Sequence, residues 1–233
     1  MTNYRPPLAD IRLVLDEIAD IAAICELPDF EHVDRETVDG VLDELGRFVA
    51  EVVAPVNRIG DEEGCSVTDG VVTMPDVFGK AWDRYVESGW GAISQDPDYG
   101  GGGFPGIVQT VMTEMLATAS RAWSMGPMLT VGALDALHTF ADEGMKETYL
   151  PRMVTGEWSG TMNLTEPHAG SDVGALTTRA IPGDDGTYRI FGTKIFITFG
   201  EHELAENIIQ LVLARTPDSP PGTRGISLFV VPK

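Results

Sequence analysis

The sequence predicts an α+β fold: an N-terminal α-helical domain with a leading extension (residues 1–157), followed by an antiparallel β-barrel-like domain (residues 158–233) that is cut short. Three observations predict it. Helix-period apolar stripes fill the first two-thirds of the chain, short β-rich runs fill the last third, and the texture changes once, near Gly156-Glu157-Trp158-Ser159-Gly160. Elements segregated in this way argue for two packed units and against an alternating βαβ sheet.

In chain order, Leu8 to Ile21 carries a loose helical stripe and is followed by a loop around Pro28-Asp29-Phe30. Val38, Val41, Leu42, Leu45, Phe48, Val49, Val52 and Val53 recur at helical steps, which predicts a core-facing helix ending close to Pro55. Further helices are expected over Asp76 to Val86, Ile107 to Ser120, Leu129 to Phe140 and Glu143 to Met153, with Ser94 to Gly103 as a Pro/Asp/Gly-rich loop. Five β runs follow, at Thr161 to Thr165, Thr177 to Ile181, Tyr188 to Thr198, Ile208 to Ala214 and Ile226 to Val231. Pro182 to Gly186 joins two of them as a hairpin and Pro217 to Gly222 joins two more. The last strand is expected to leave an unpaired edge where the chain stops.

The formal net charge is −20, from 36 acidic and 16 basic residues. Such a field repels nucleic acid and anionic lipid, so neither is an expected partner, and a phosphate-bearing ligand must be held by local N–H groups or basic side chains. No run reaches the roughly 18 apolar residues of a membrane helix. The start Met1 to Pro7 has no apolar leader core, which makes the cytoplasm the expected compartment. Cys25 and Cys65 lie in different elements without CxxC spacing, so two reduced thiols are expected and no metal site is assigned.

Three suggestive patterns are set aside. Gly101 to Gly106 satisfies GxGxxG but follows a loop and contains Pro105, whereas a dinucleotide fingerprint needs a strand-to-helix turn. His168, Ser171 and Asp172 lie close together, yet nothing orders them into a nucleophile, base and acid. His202 among Glu201, Glu203 and Glu206 reads as a charged surface more readily than as a metal site.

The informative segment is Thr161 to Gly174, in which a β run gives way to Glu166-Pro167-His168-Ala169-Gly170-Ser171. Proline and glycine force an open loop that turns N–H groups and the hydroxyls of Thr165 and Ser171 to one side. That suits a planar, acceptor-rich ring with a phosphate tail; equally, the hydroxyls serve as caps of the turn. Gly192 to Gly200 alternates like a strand presenting Phe196 and Thr198 on one face, which fits either a ring-backing strand or a barrel strand with one buried aromatic.

Taken together, Leu164 to Gly174 resembles the acyl-CoA dehydrogenase signature, and Lys194-Ile195-Phe196-Ile197-Thr198 resembles that family's second flavin-contacting strand. Leu150-Pro151-Arg152 through Glu157 and Tyr99 to Gly103 are similar to the family's domain entry and glycine loop. The leading extension, Gly200 to Asn207 and Gly225 to Lys233 resemble the larger bacterial branch that includes long-chain and 3-methylmercaptopropionyl-CoA dehydrogenases.

The resemblance implies an FAD cofactor and conversion of an acyl-CoA substrate to trans-2-enoyl-CoA, with an electron-transferring flavoprotein as partner. By the same resemblance, Met162, Leu164 and Thr165 line the flavin, while Phe196, Ile197 and Thr198 cover its opposite side. Ser171 touches the acyl-CoA substrate or the cofactor's phosphate region. Phe196 stands where many relatives carry tryptophan. The family's base is a glutamate of a C-terminal helical domain, so no catalytic residue is assigned, and a homo-oligomer or a second chain supplying that domain is expected. The isolated chain is accordingly expected to bind FAD weakly or not at all. A non-catalytic flavin-binding module and an acyl-CoA oxidase remain as alternatives.

Overall fold

The computed structural model describes residues 4–233. Met1 to Asn3, part of the stretch read as lacking a leader, lie outside the described residues. The helices are α1 (Leu8–Glu17), α2 (Ile21–Cys25), α3 (Arg35–Phe48), α4 (Ala54–Glu63), α5 (Asp76–Glu87), α6 (Gly106–Ala119), α7 (Arg121–Phe140) and α8 (Glu143–Val154). Aspartates start three of them. The carboxylates of Asp20, Asp34 and Asp142 accept N–H bonds from Ala23, Thr37 and Met145 at 3.3, 2.7 and 2.9 Å.

The α3 stripe is buried at Val38, Leu42, Leu45 and Phe48, as its period predicts. The expected stop at Pro55 does not occur. A π-helical turn, Val49–Val53, follows α3, and Pro55 then sits in the first turn of α4, where the absence of an N–H costs least. Similarly, α7 begins at Arg121 rather than Leu129 and runs through Pro127. These helices enclose a core in which Trp123 meets Trp82 and Tyr85 edge-on, at ring separations of 6.3 and 5.6 Å.

A hairpin absent from the expectations links α4 to α5: β1 (Ser66–Thr68) and β2 (Val71–Thr73). Its turn, Asp69-Gly70, has both residues at positive φ, 52° and 83°. Asp-Gly between valines is a strong hairpin signal, and the sequence carries it.

The remaining strands are β3 (Trp158–Asn163), β4 (Arg179–Pro182), β5 (Tyr188–Phe191), β6 (Asn207–Ala214) and β7 (Ser227–Pro232). The sheet order is β3-β6-β7, with β3 parallel to β6 and β6 antiparallel to β7. β4 and β5 form a hairpin tied to the end of β6 by Ala180 N–H to Arg215 O at 2.8 Å and Arg215 N–H to Thr178 O at 2.9 Å. The expected antiparallel barrel is therefore corrected to a mixed sheet plus a hairpin, with no closed barrel among the described residues. The reason is the long crossover from Asn163 to Asn207, which returns the chain in the same direction as a hairpin cannot.

Alternation along β3 divides its residues between two faces. Gly160 faces the helices, where a Cβ would lie 2.5 Å from the Ala133 methyl and 2.8 Å from Cε of Met153. Its N–H donates to Thr130 Oγ1 of α7 at 3.1 Å. Ala133, Leu134 and Leu137 of α7, Leu150 and Met153 of α8, and Ile209 and Leu211 of β6 form a second core along this seam. Ser159, Thr161 and Asn163 face away from α7, towards the segment that contains Thr198 and His202.

Candidate functional site

The chain leaves β3 into a tight turn closed by paired backbone bonds: Glu166 N–H to Ala169 O at 2.9 Å and Ala169 N–H to Glu166 O at 3.1 Å. The turn directs the Glu166 side chain inward, where the residue is only 3% exposed. Its carboxylate accepts from the N–H groups of Thr177 and Thr178 at 2.8 and 3.0 Å, and from both threonine hydroxyls. Lys194 Nζ completes the set, donating to Glu166 Oε1 and to Leu164 O, each at 2.9 Å. Burial alone would raise the Glu166 pKa, but the bonds from Thr178, Thr177 and Lys194 outweigh it and hold the carboxyl at about 2. This glutamate is a fastener and too weak a base to take a proton from carbon.

Through Lys194 the fastener joins the two segments that the sequence singles out. Ile195 N–H donates to Thr165 O at 2.9 Å, and Thr161 Oγ1 donates to Thr198 O at 2.7 Å. Leu164, Thr165, Ile197 and Thr198 are thereby held on neighbouring stretches of backbone. Met162 is half-buried against the α7–α8–β6 core. Ser171 is exposed on the loop beyond the Glu166 turn.

The expected strand over Tyr188 to Thr198 is corrected. It ends at Phe191, and Phe196 and Phe199 take left-handed conformations with φ of 58° and 52°. A phenylalanine held there costs about 1–3 kcal/mol, so the surrounding ties must over-determine it. Phe196 and Thr198 therefore do not share a strand face; Phe196 stands out from a loop, 88% exposed.

His202 is also corrected. The residue read as part of a charged surface is 1% exposed, between the rings of Trp82 and Phe199 at 6.2 and 5.4 Å. Burial, reinforced by Lys233, pulls its pKa down to about 4. Lys194, His202 and the row Ser159-Thr161-Asn163 hold this region together, and none of them is assigned a role from the sequence. The alternation of polar with apolar or small residues in Trp158 to Asn163 was the available signal.

The patterns set aside gain no site. Within the glycine loop the N–H groups of Gly100 to Phe104 are bonded to carbonyls of residues 92–97, so none is left for a phosphate. Among the described residues no hydrogen bond joins His168, Ser171 and Asp172; His168 Nε2 lies 3.6 Å from Glu166 instead. Nor does any group of three or more His, Cys, Asp and Glu there gather to hold a metal ion. Cys25 and Cys65 are free thiols. No helix of the described residues is long and apolar enough to cross a membrane.

The donor set fits an acceptor-rich ring. Among the described residues, the hydroxyls of Thr165, Ser171 and Thr198 and the N–H groups of Phe196, Ile197 and Thr198 make no hydrogen bond within the chain. Beside them opens a groove of about 620 Å³ lined by Asn163, Lys194, Ile197, Phe199 and Gln210. On its wall Asn163 Nδ2 donates to Gln210 Oε1 at 2.7 Å, while Asn163 Oδ1 has no partner.

Comparison with known proteins follows the same division. The family profile "Acyl-CoA dehydrogenase, N-terminal domain" matches residues 35–157, and "Acyl-CoA dehydrogenase, middle domain" matches residues 161–233. The chain is 45% identical to a 3-methylmercaptopropionyl-CoA dehydrogenase of Ruegeria pomeroyi over 99% of its own length and 39% of that protein. It is 34% identical to a broad-specificity linear acyl-CoA dehydrogenase of Mycobacterium tuberculosis, over 100% of itself and 38% of the relative. The butyryl-CoA dehydrogenase structure from Megasphaera elsdenii superposes with a TM-score of 0.68 at 28% identity, covering 83% of this chain and 48% of that one. The chain thus spans about two-fifths of the length of the curated relatives it matches. With both profiles matched in order along it, the chain belongs to the acyl-CoA dehydrogenase family.

Proposed function

We propose that this chain forms the flavin-facing part of an FAD-dependent acyl-CoA dehydrogenase that converts an acyl-CoA thioester to trans-2-enoyl-CoA. The observation that carries the reading is the buried Glu166–Lys194 pair, which draws Leu164-Thr165 and Ile197-Thr198 into one surface with unused donors. Thr165 and Thr198 orient the polar edge of the flavin, Met162 and Leu164 back its apolar part, and Phe196 and Ile197 cover the other side. Ser171 binds the acyl-CoA or the cofactor's phosphate region.

Bound FAD supplies the acceptor for the hydride leaving the β carbon. The side chains named above hold and orient both reactants and keep water from them. Abstraction of the α proton needs a positioned carboxylate. Glu166 is unsuited to that step, and we place the base in a C-terminal helical domain, carried by the rest of the polypeptide or by another chain. The boundary between the helical and flavin-facing parts is placed after residue 157, between Gly156, whose φ is 81°, and the start of β3. The family's usual acceptor, an electron-transferring flavoprotein, and a cytoplasmic setting complete the proposal.

Phe196 offers the direct test. Phe196→Gly removes an exposed ring and a left-handed strain, so stability is expected to stay within about 1 kcal/mol of the parent. FAD affinity, followed by absorbance titration of the full-length polypeptide, is expected to fall roughly three- to tenfold with the lost stacking. Unchanged affinity would remove Phe196 from the flavin surface.

A further inference from the structure

His202 carries more than its burial. Leu204 N–H donates to its Nδ1 at 3.1 Å, so the neutral ring holds its proton on Nε2. Nε2–H then donates to Ser159 Oγ at 3.1 Å, and Ser159 Oγ–H in turn reaches Asn207 O at 3.4 Å. The direction of every bond in the chain follows from the first.

That chain is one rung of a ladder. Along the outward face of β3, Thr161 holds Thr198 O at 2.7 Å and Ser159 holds His202, and just before the strand Glu157 O accepts from Glu206 N–H at 3.0 Å. Gln210 of β6 adds a bond to Gly200 O at 2.9 Å. The segment from Thr198 to Glu206 is thus zipped to the sheet, and His202 is its one buried ring. The same imidazole meets Trp82 of α5 and Phe199 of the segment. Phe199 fills the space beside Gly126 of α7, where a Cβ would lie 2.6 Å from its ring. Helices, sheet and loop therefore converge on His202.

We propose that His202 is a positioning residue: as the neutral imidazole it ties the backbone of Leu204 to Ser159 of β3 and so holds the loop that begins with Ile197-Thr198 in its flavin-facing form. The link to flavin rests on the function proposed above; the ordering of the loop does not. Glu201 and Glu203 on the loop and Lys233 beyond β7 are the charged groups that act on the ring.

The test uses three variants of the purified protein and a glutamate-specific protease, which reads loop order at Glu201, Glu203 and Glu206. His202→Phe keeps the ring and removes both bonds. His202→Asn places an oxygen where Nδ1 was and retains the Leu204 bond alone, and Ser159→Ala removes the sheet anchor. Cleavage in this loop, resolved by mass spectrometry, is expected to be about tenfold faster in His202→Phe and to rise less in His202→Asn and Ser159→Ala, each of which keeps the Leu204 bond and loses the tie to β3. Equal cleavage of parent and His202→Phe would overturn the proposal, as would His202→Asn behaving like His202→Phe. FAD titration of the same proteins is expected to rank them in the same order. If the full-length polypeptide binds no FAD, the functional reading fails while the cleavage result still decides the role of His202.

Discussion

Glu166→Ala is expected to lower the unfolding free energy by about 3–5 kcal/mol, because it strands a buried ammonium without its partner. Lys194 has a side chain only 9% exposed, and its other partner is Leu164 O. The N–H and hydroxyl groups of Thr177 and Thr178 lose their acceptor in the same step. Urea denaturation measures the loss, and a change under 1 kcal/mol would show that the pair is not a fastener. Glu166→Gln keeps the shape and part of the bonding, so a smaller loss is expected.

Acid acts on the same pair. The folded-state pKa of about 2 lies below the usual 4.5, so the pair's stabilisation is complete above pH 4.5 and disappears as pH falls towards 2. His202, held near 4 against a usual 6.5, adds an earlier loss, because the unfolded chain takes up its proton between pH 6.5 and 4 while the folded chain does not. Stability is therefore expected to decline in two steps on acidification, with only the lower one flattened in Glu166→Gln.

Trp123→Ala is expected to cost about 3–5 kcal/mol as well, by opening a cavity that its rigid neighbours cannot fill. The residue is wholly buried, and its Nε1–H donates to Phe78 O at 3.2 Å. Its consequences extend to the site. Trp82, which packs on Trp123, also touches His202 and, with Phe199, crowds the space at Gly126. Chemical denaturation gives the stability change. Loss confined to stability, with cleavage of the loop around Glu201 unchanged in the native state, would show that the aromatic cluster does not support the loop.

Much of the fold was legible because burial obeys local period. Val38, Leu42 and Leu45 are fully buried along α3, and the short apolar run of β6 reads as a strand covered on both faces, with Ile208, Ile209, Leu211 and Val212 all buried. Two kinds of feature were not legible. Pro55 reads as a helix stop and α7 is expected only from Leu129, yet a π turn and tertiary packing carry the helices through Pro55 and Pro127. Strand direction was hidden as well, since the parallel pairing of β3 with β6 depends on a crossover and not on either strand's composition.

At the site, the two motifs were legible but their geometry was not. Lys194 to Thr198 alternates like a strand, and no local property of phenylalanine announces a left-handed backbone. That conformation is held by bonds to Thr161 and Thr165, thirty or more residues earlier in the chain. His202 misled for a related reason: its acidic neighbours in sequence suggest water, while Trp82 and Ser159 supply the burial from a distance.

The most direct measurement is amide hydrogen exchange of the apoprotein and the FAD-loaded protein. Added FAD is expected to slow exchange together at Phe196 to Thr198 and at Gly170 to Ser171, whose N–H groups make no bond within the described chain. The glycine loop at Gly100 to Phe104 is expected to stay unchanged. Protection of that loop, or of one segment without the other, would contradict a single flavin surface built by the Glu166–Lys194 pair.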